Sequence, residues 1–470
     1  MPATARHNPA TTAPNTHFSD PPQRAGFAAR TGPLLLKRVC RAVRWVTLTL
    51  AACTAATPAL PPGPMLHFPP QTGIPSQRPN GQIAQDFLDL EFNLESGQPL
   101  QVLSRFDGPV TVTLTGQIPP VTMAEASSLI SRLRHEAGID IRLTTGPANI
   151  TVQFAAFSAL QRIDPTAACF VAPNVSSLAE YRARRGTEAV SWQSMRRRER
   201  LAIFIPADTS PQEQRDCLHE ELAQALGPLN DLYRLPDSVF NDNNFQSTLT
   251  GFDMLVLRLH YAPGLAAGMT KAQVATRLPA LLARLNPGGQ RPGLWSDPDT
   301  PHAWEQAAQT VLAPGSLNAA RLPAAQIMLQ IARAHGWQDA RLGLAYFALG
   351  RVTGSAAAWQ SAADVFATLP DQGVHLAHAL LPLAALTPDP MAAIALADRA
   401  LPLATLAQNA ALIANFDLIK ADALARLGQV DAARRLRLDS LAAARYGFGN
   451  AQDLQAGATQ VRQGPAHRRK

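Results

Sequence analysis

The chain has 470 residues, 46% of them hydrophobic, which is enough for two or three domains with real cores and too apolar for a disordered chain. Its net charge of +7 is concentrated at one end: residues 1–52 carry seven basic side chains against Asp20 alone, so the body is close to neutral. A near-neutral body has no field to hold a polyanion, which sets nucleic acid aside as a partner.

The basic leader reads as an export signal. Residues 37–44 (KRVCRAVR) form a charged n-region and residues 45–52 a short apolar h-region, and Leu50-Ala51-Ala52-Cys53 resembles the lipobox of bacterial lipoproteins. Residues 1–53 are therefore expected to be an export leader, with Cys53 the lipidated residue. The alternative is an ordinary signal peptide cleaved near Ala52 or Ala56, with Cys53 incidental. Both readings export the protein, and the lipobox reading makes it a lipid-anchored, periplasm-facing protein of the cell envelope. The 36 residues ahead of Lys37 are polar and long for a leader, which points to a start downstream of Met1.

Residues 54–82 hold eight prolines between Pro58 and Pro79 and are expected to be an extended tether. The later stretch 376–397 is apolar but contains Asp389 and three prolines, so it reads as two packed helices and not as a membrane span. Of the four cysteines, Cys40 and Cys53 fall in the leader and Cys169 and Cys217 in the body. In an oxidising compartment the body pair is expected to form a disulfide pinning a strand to a helix; two buried thiols are the other reading.

Residues 83–287 form the first expected domain. Alternation over 109–116 predicts a strand, helical spacing over 123–138 a helix ending on glycine, and DIRLT, NITVQF, CFVAP and LAIFIP four more strands. A helix follows over 211–226. Thr250 with Asp253 and Thr270 with Gln273 match helix capping boxes. Asp242 sits among asparagines in FNDNNF, which read as a turn first and as hard-cation ligands second. Arg182, Arg184, Arg185, Arg196, Arg197, Arg198 and Arg200 form a basic patch around Trp192: a solvated face, or a surface for anionic head groups.

The helix over 211–226 carries the chemistry. Metzincin-type peptidases bear H-E-x-x-H-x-x-G-x-x-H, two histidines one helical turn apart, a glutamate base, a glycine and a third histidine. Aligned without a gap, this chain places Glu220, Gln224 and Asn230 at the three ligand positions, with Glu221 and Gly227 retained. His219 is one register off, and its i+4 partner is Ala223. Ser238-Val239-Phe240 stands where such proteins have their methionine turn, and residues 249–261 (LTGFDMLVLRLHY) resemble their closing helix. With DFLDLEFNLESG (86–97), RFDGPVTV (105–112), residues 202–242 and residues 249–274, the segment resembles the bacterial family named domain of unknown function 2927. That resemblance implies an exported zincin-like domain and supplies no reaction.

Zinc favours imidazole or thiolate, whereas these positions offer one carboxylate and two amide oxygens. No cofactor is expected on that ground; calcium or magnesium would be the weak alternative. Substituted ligands favour a noncatalytic, degenerate zincin. The alternative is an atypical metal-dependent peptidase of the envelope with Glu221 as general base.

After a glycine- and proline-rich linker (288–301), the composition shifts to alanine and leucine. Residues 302–450 resemble tetratricopeptide helices, best at Leu342-Gly343-x-x-Tyr346, and predict a solenoid that binds a protein or peptide partner; a plain bundle is the alternative. Residues 451–470 are a polar basic tail. The expected fold is an α+β zincin-like domain followed by an all-α helical-repeat domain, with few contacts crossing the linker.

Overall fold

The computed structural model describes residues 63–69 and 73–449, apart from 166, 242, 244, 296, 314, 315 and 370–372. Cys53 and Asp242 lie outside the described residues, as do the leader and the basic tail.

The first region opens with α1 (Asn80–Glu91), whose Ile83, Phe87 and Leu90 recur at helical spacing and are fully buried. It then alternates strands and helices: β1 (Val110–Gly116), α2 (Thr122–Glu136), β2 (Ile141–Leu143), β3 (Ile150–Ala155), α3 (Phe157–Gln161), β4 (Phe170–Pro173), α4 (Leu178–Arg184), β5 (Leu201–Pro206) and α5 (Pro211–Leu226). The five strands form one sheet in the order β2-β1-β3-β5-β4. β1, β2, β3 and β5 run parallel, and β4 lies antiparallel to β5 as an edge strand. LAIFIP is buried at all six positions, as a strand covered on both faces must be. Gly116 ends β1 at φ +82°, where an added Cβ would meet the Phe154 carbonyl oxygen at 2.1 Å; no other residue fits there. Two more helices close the region, α6 (Gly251–His260) and α7 (Lys271–Leu285), both started by the capping boxes expected from the sequence.

A helix-rich region follows: α8 (His302–Leu312), α9 (Asn318–Ala334), α10 (Ala340–Thr353), α11 (Ala356–Thr368), α12 (Gly373–Leu386), α13 (Pro390–Leu406), α14 (Ala410–Arg426), α15 (Val430–Asp439) and α16 (Leu441–Phe448). Each helix from α8 to α15 packs on its chain neighbour, and α16 turns back onto α14 and α5. Gly343 and Gly350, seven residues apart on α10, let α11 approach closely: a Cβ at either would sit 2.4 Å from the Phe366 ring or 2.7 Å from the Trp359 ring. The stretch 376–397 is two helices joined by a turn, and among the described residues no helix is long and apolar enough to cross a membrane.

The two regions belong to one compact unit, against the expectation that few contacts cross. Phe245, from the connection between α5 and α6, enters the helical region between Phe347, Phe366, His375 and His378. Tyr233 meets Trp304 edge-on with centroids 5.1 Å apart. Arg215 of α5 donates to the Gln408 carbonyl and lies 5.5 Å from the ring centroids of both Phe68 and Tyr446, while the Tyr446 hydroxyl donates to Glu125 at 2.6 Å. The linker is fastened too: Arg341, 1% exposed, donates to the Asp297 and Asp299 carbonyls. Of the expected tether over 54–82, the last three residues belong to α1, and the described residues before them have no regular secondary structure but are held, with Leu66 N–H donating to the Ala442 carbonyl and Gly73 N–H to Glu136. Burial of aromatic side chains supplies the reason: proline and glycine in a connection do not prevent docking where a wedge such as Phe245 has a groove to fill.

Candidate functional site

Helix α5 is the centre of the site. Ser210 caps it in a full capping box with Glu213, and Pro211 occupies its first turn. Leu218, Leu222, Ala225 and Leu226 face the core, at 1% exposure or less. Six of its polar residues, Gln212, Gln214, Arg215, His219, Glu221 and Gln224, are buried as well, which sequence periodicity does not reveal. Gln214 donates to the Ala207 and Thr209 carbonyls, and the Nδ1 of His219 accepts from the Leu249 amide at 3.1 Å. Burial, with Arg215 and Arg132 nearby, holds His219 neutral well below its ordinary pKa. His219 is thus a structural acceptor that fixes the start of α6.

The C-terminal end of α5 is closed by side chains from elsewhere. Arg198, 2% exposed, donates to the carbonyls of Gln224, Ala225 and Gly227, and the Tyr261 hydroxyl donates to that of Leu226. A cation and a hydroxyl therefore satisfy the free carbonyls at the negative end of the helix dipole. Gly227 is needed because a Cβ there would meet Leu257 at 2.8 Å. Asp253 accepts from the Ser238 hydroxyl at 2.6 Å and from the Val239 and Thr250 amides, pinning the 238–240 turn to α6.

On its open side α5 borders a cleft of about 910 Å³. One wall is the edge strand β4 with Cys169, Phe170 and Val171; the floor carries Glu220, Glu221 and Gln224; Leu94 and Glu95 close one end. The opposite wall is α8, with Gln306, Gln309 and Thr310, so the helical region completes the cleft. Cys169 and Cys217 form the expected disulfide, Cα atoms 6.0 Å apart, and tie β4 to α5 beside the acidic floor.

The sequence-aligned ligand positions are brought together only in part. Glu220 and Gln224 line the cleft with Glu221, whereas Asn230 does not; its amide donates to the Asp89 carbonyl of α1 at 3.0 Å. The aligned ligand positions then bring one carboxylate and one amide to the cleft, which does not fit zinc. Among the described residues no group of three or more His, Cys, Asp or Glu is disposed to hold a metal ion. Glu221 is 4% exposed and its Oε2 has no hydrogen-bond partner. Burial first, then the charges of Glu220 and Glu95, push its carboxyl well above the usual carboxylate range; a hydrogen bond from the Val171 amide opposes them.

The arginine patch is not one surface. Arg198 is buried in the helix cap with Trp192 5.6 Å from its guanidinium carbon, Arg184 and Arg200 pair with Glu180, and Arg197 pairs with Asp107. Among the contributors to the cleft missed from sequence are Glu95, Asp164 and the α8 wall. Glu95 lies in the stretch DFLDLEFNLESG and was findable there as a second acid; the α8 wall is a product of tertiary docking and leaves no local signal.

Neither a curated protein nor a solved structure matches the chain. Residues 80–280, which hold the sheet, α5 and the acidic floor of the cleft, match the model of the family described as Protein of unknown function (DUF2927).

Proposed function

We propose that this is a bacterial envelope lipoprotein, anchored through Cys53, whose zincin-like domain has lost peptidase chemistry and keeps its cleft to hold an extended peptide of a partner. The observation that carries this reading is the pairing of an edge strand with a non-ligating floor: β4 borders a cleft of about 910 Å³, while Asn230 is committed to α1 and Glu220 and Gln224 remain. An edge strand offers unpaired backbone groups to an added strand. The order of elements, with an edge strand ahead of β5 and the signature helix after it, supports the zincin-like relationship. The close helix pairs around Gly343 and Gly350 support the tetratricopeptide-like relationship. The groove of that region already holds Phe245, so its part in partner binding is to wall the cleft through α8.

A second reading rests on Glu221: a buried carboxyl with a raised pKa, facing a cleft, has the character of a general acid or base. Elemental analysis of the purified full chain, joined to a peptide-cleavage screen of wild type and Glu221→Gln, separates the two. Stoichiometric zinc together with cleavage lost in Glu221→Gln overturns the noncatalytic reading; metal-free protein that binds peptides without cutting them sustains it. Anchoring is tested by detergent partitioning of Cys53→Ser, where an unchanged distribution rejects lipidation.

A further inference from the structure

We infer that the peptide held in this cleft presents a lysine or arginine side chain to Glu221. The inference rests on the peptide-holding reading and adds the charge of the occupant. Every lining residue of the cleft that carries a formal charge when ionised near neutral pH is a carboxylate, namely Glu95, Asp164, Glu220 and Glu221, with no lysine, arginine or histidine among the lining residues. That imbalance lies in a body whose overall charge is close to neutral, so it is local to the cleft.

Glu221 supplies the second observation. Its Oε2 is buried in the cleft wall without any hydrogen-bond partner. The buried cations that contact α5 are committed elsewhere, Arg198 to three carbonyls at the end of α5 and Arg215 to Asp216 and the Gln408 carbonyl. A carboxylate stripped of water with one oxygen left without a donor is costly, and a cationic donor in reach of that oxygen forms the stronger, charge-assisted kind of hydrogen bond. The cleft also suits the remainder of such a side chain. Leu94, Val171, Trp192, Leu229 and Leu312 give an apolar lining for a methylene stem, and the volume exceeds what a single ion would fill. An acidic side chain would meet repulsion at the same place, and an apolar one would offer no donor.

The test uses the full chain and four capped hexapeptides of alanine and glycine that differ at one central residue: lysine, arginine, norleucine or glutamate. Binding is read by calorimetry and by the fluorescence of Trp192, which lines the cleft. The expected result is that the lysine and arginine peptides bind about tenfold or more tighter than the norleucine peptide. Glu221→Gln should bring the cationic peptides down to the norleucine level and leave the norleucine peptide unchanged. Glu95→Gln, at an exposed position that cannot disturb the core, should give a smaller loss of the same sign. Equal binding of cationic and norleucine peptides overturns the charge inference while leaving the peptide-holding reading intact. No binding of any of the four overturns both.

Discussion

The ring of Phe245 lies stacked on the imidazole of His378, with centroids 4.6 Å apart and planes within 19° of parallel. The same ring meets His375 and Phe347 edge-on at 4.7 and 4.9 Å. One side chain from the α/β region thus fills the space between α10 and α12, and it is 5% exposed. Phe245→Ala should cost about 3–5 kcal/mol, the range for an aromatic removed from a core. Because the void opens at the junction, the helical region should loosen from the α/β region before either unfolds. Hydrogen exchange should show early loss of protection at the ends of α10 and α12, and uniform loss across the chain would mean that the two regions unfold only together.

This junction marks the limit of what could be read from the sequence. Strands such as LAIFIP and the helix over 211–226 were legible because their hydrophobic spacing is local, and the element bounds of α5 match the expected ones. The body disulfide was legible because only two cysteines, Cys169 and Cys217, fall in the body, which leaves one pairing. Docking of Phe245 was not legible: it lies in a polar asparagine-rich turn whose partners come about a hundred residues later, and no local pattern records a contact of that separation. For the same reason Arg198 looked like one of seven surface arginines, and Asn230 looked like a third ligand position when its amide belongs to α1.

Arg198 and Arg197 are adjacent in sequence and opposite in role. The Arg197 side chain is 61% exposed and pairs with Asp107, whereas Arg198 binds three carbonyls inside the protein. Arg198→Met should leave those carbonyls buried without donors, at roughly 1–3 kcal/mol each. Arg197→Met should change stability by less than about 0.5 kcal/mol. Chemical denaturation of the two variants checks this, and similar losses for both would return Arg198 to the surface patch.

The Cys169–Cys217 bond closes a loop of 48 residues in sequence separation. Cross-linking a loop of that length lowers the entropy of the unfolded chain enough to contribute about 4 kcal/mol at most, with 2–4 kcal/mol typical. The paired variant Cys169→Ser/Cys217→Ser should lose that stability and also free β4 from α5 at the wall of the cleft. Peptide binding should therefore weaken more than a global loss of stability requires at temperatures where the variant is still folded. Intact binding in a folded, less stable variant would assign the disulfide to stability alone.

Glu221 makes the pH dependence specific. Burial and the neighbouring charges of Glu220 and Glu95 raise its folded-state pKa well above the unfolded value of 4.5. Between those two values the folded protein holds a proton that the unfolded chain has released, so stability contributed by this group is fully present below pH 4.5 and is lost as pH rises through the folded pKa. The loss approaches about 1.4 kcal/mol per pH unit within that window and stops above it. Glutamine keeps the shape of the protonated acid and cannot ionise. Wild type and Glu221→Gln should therefore have similar denaturation midpoints near pH 4, and the variant should become progressively more stable than wild type as pH rises. Urea titrations from pH 4 to pH 9 measure the difference, and parallel curves would mean that Glu221 ionises without penalty and already has a cation beside it. Adding the lysine hexapeptide should narrow the gap at pH 8, because a cation against the ionised carboxylate removes the cost that glutamine avoids. A gap that the peptide leaves unchanged would place the peptide's charge away from Glu221.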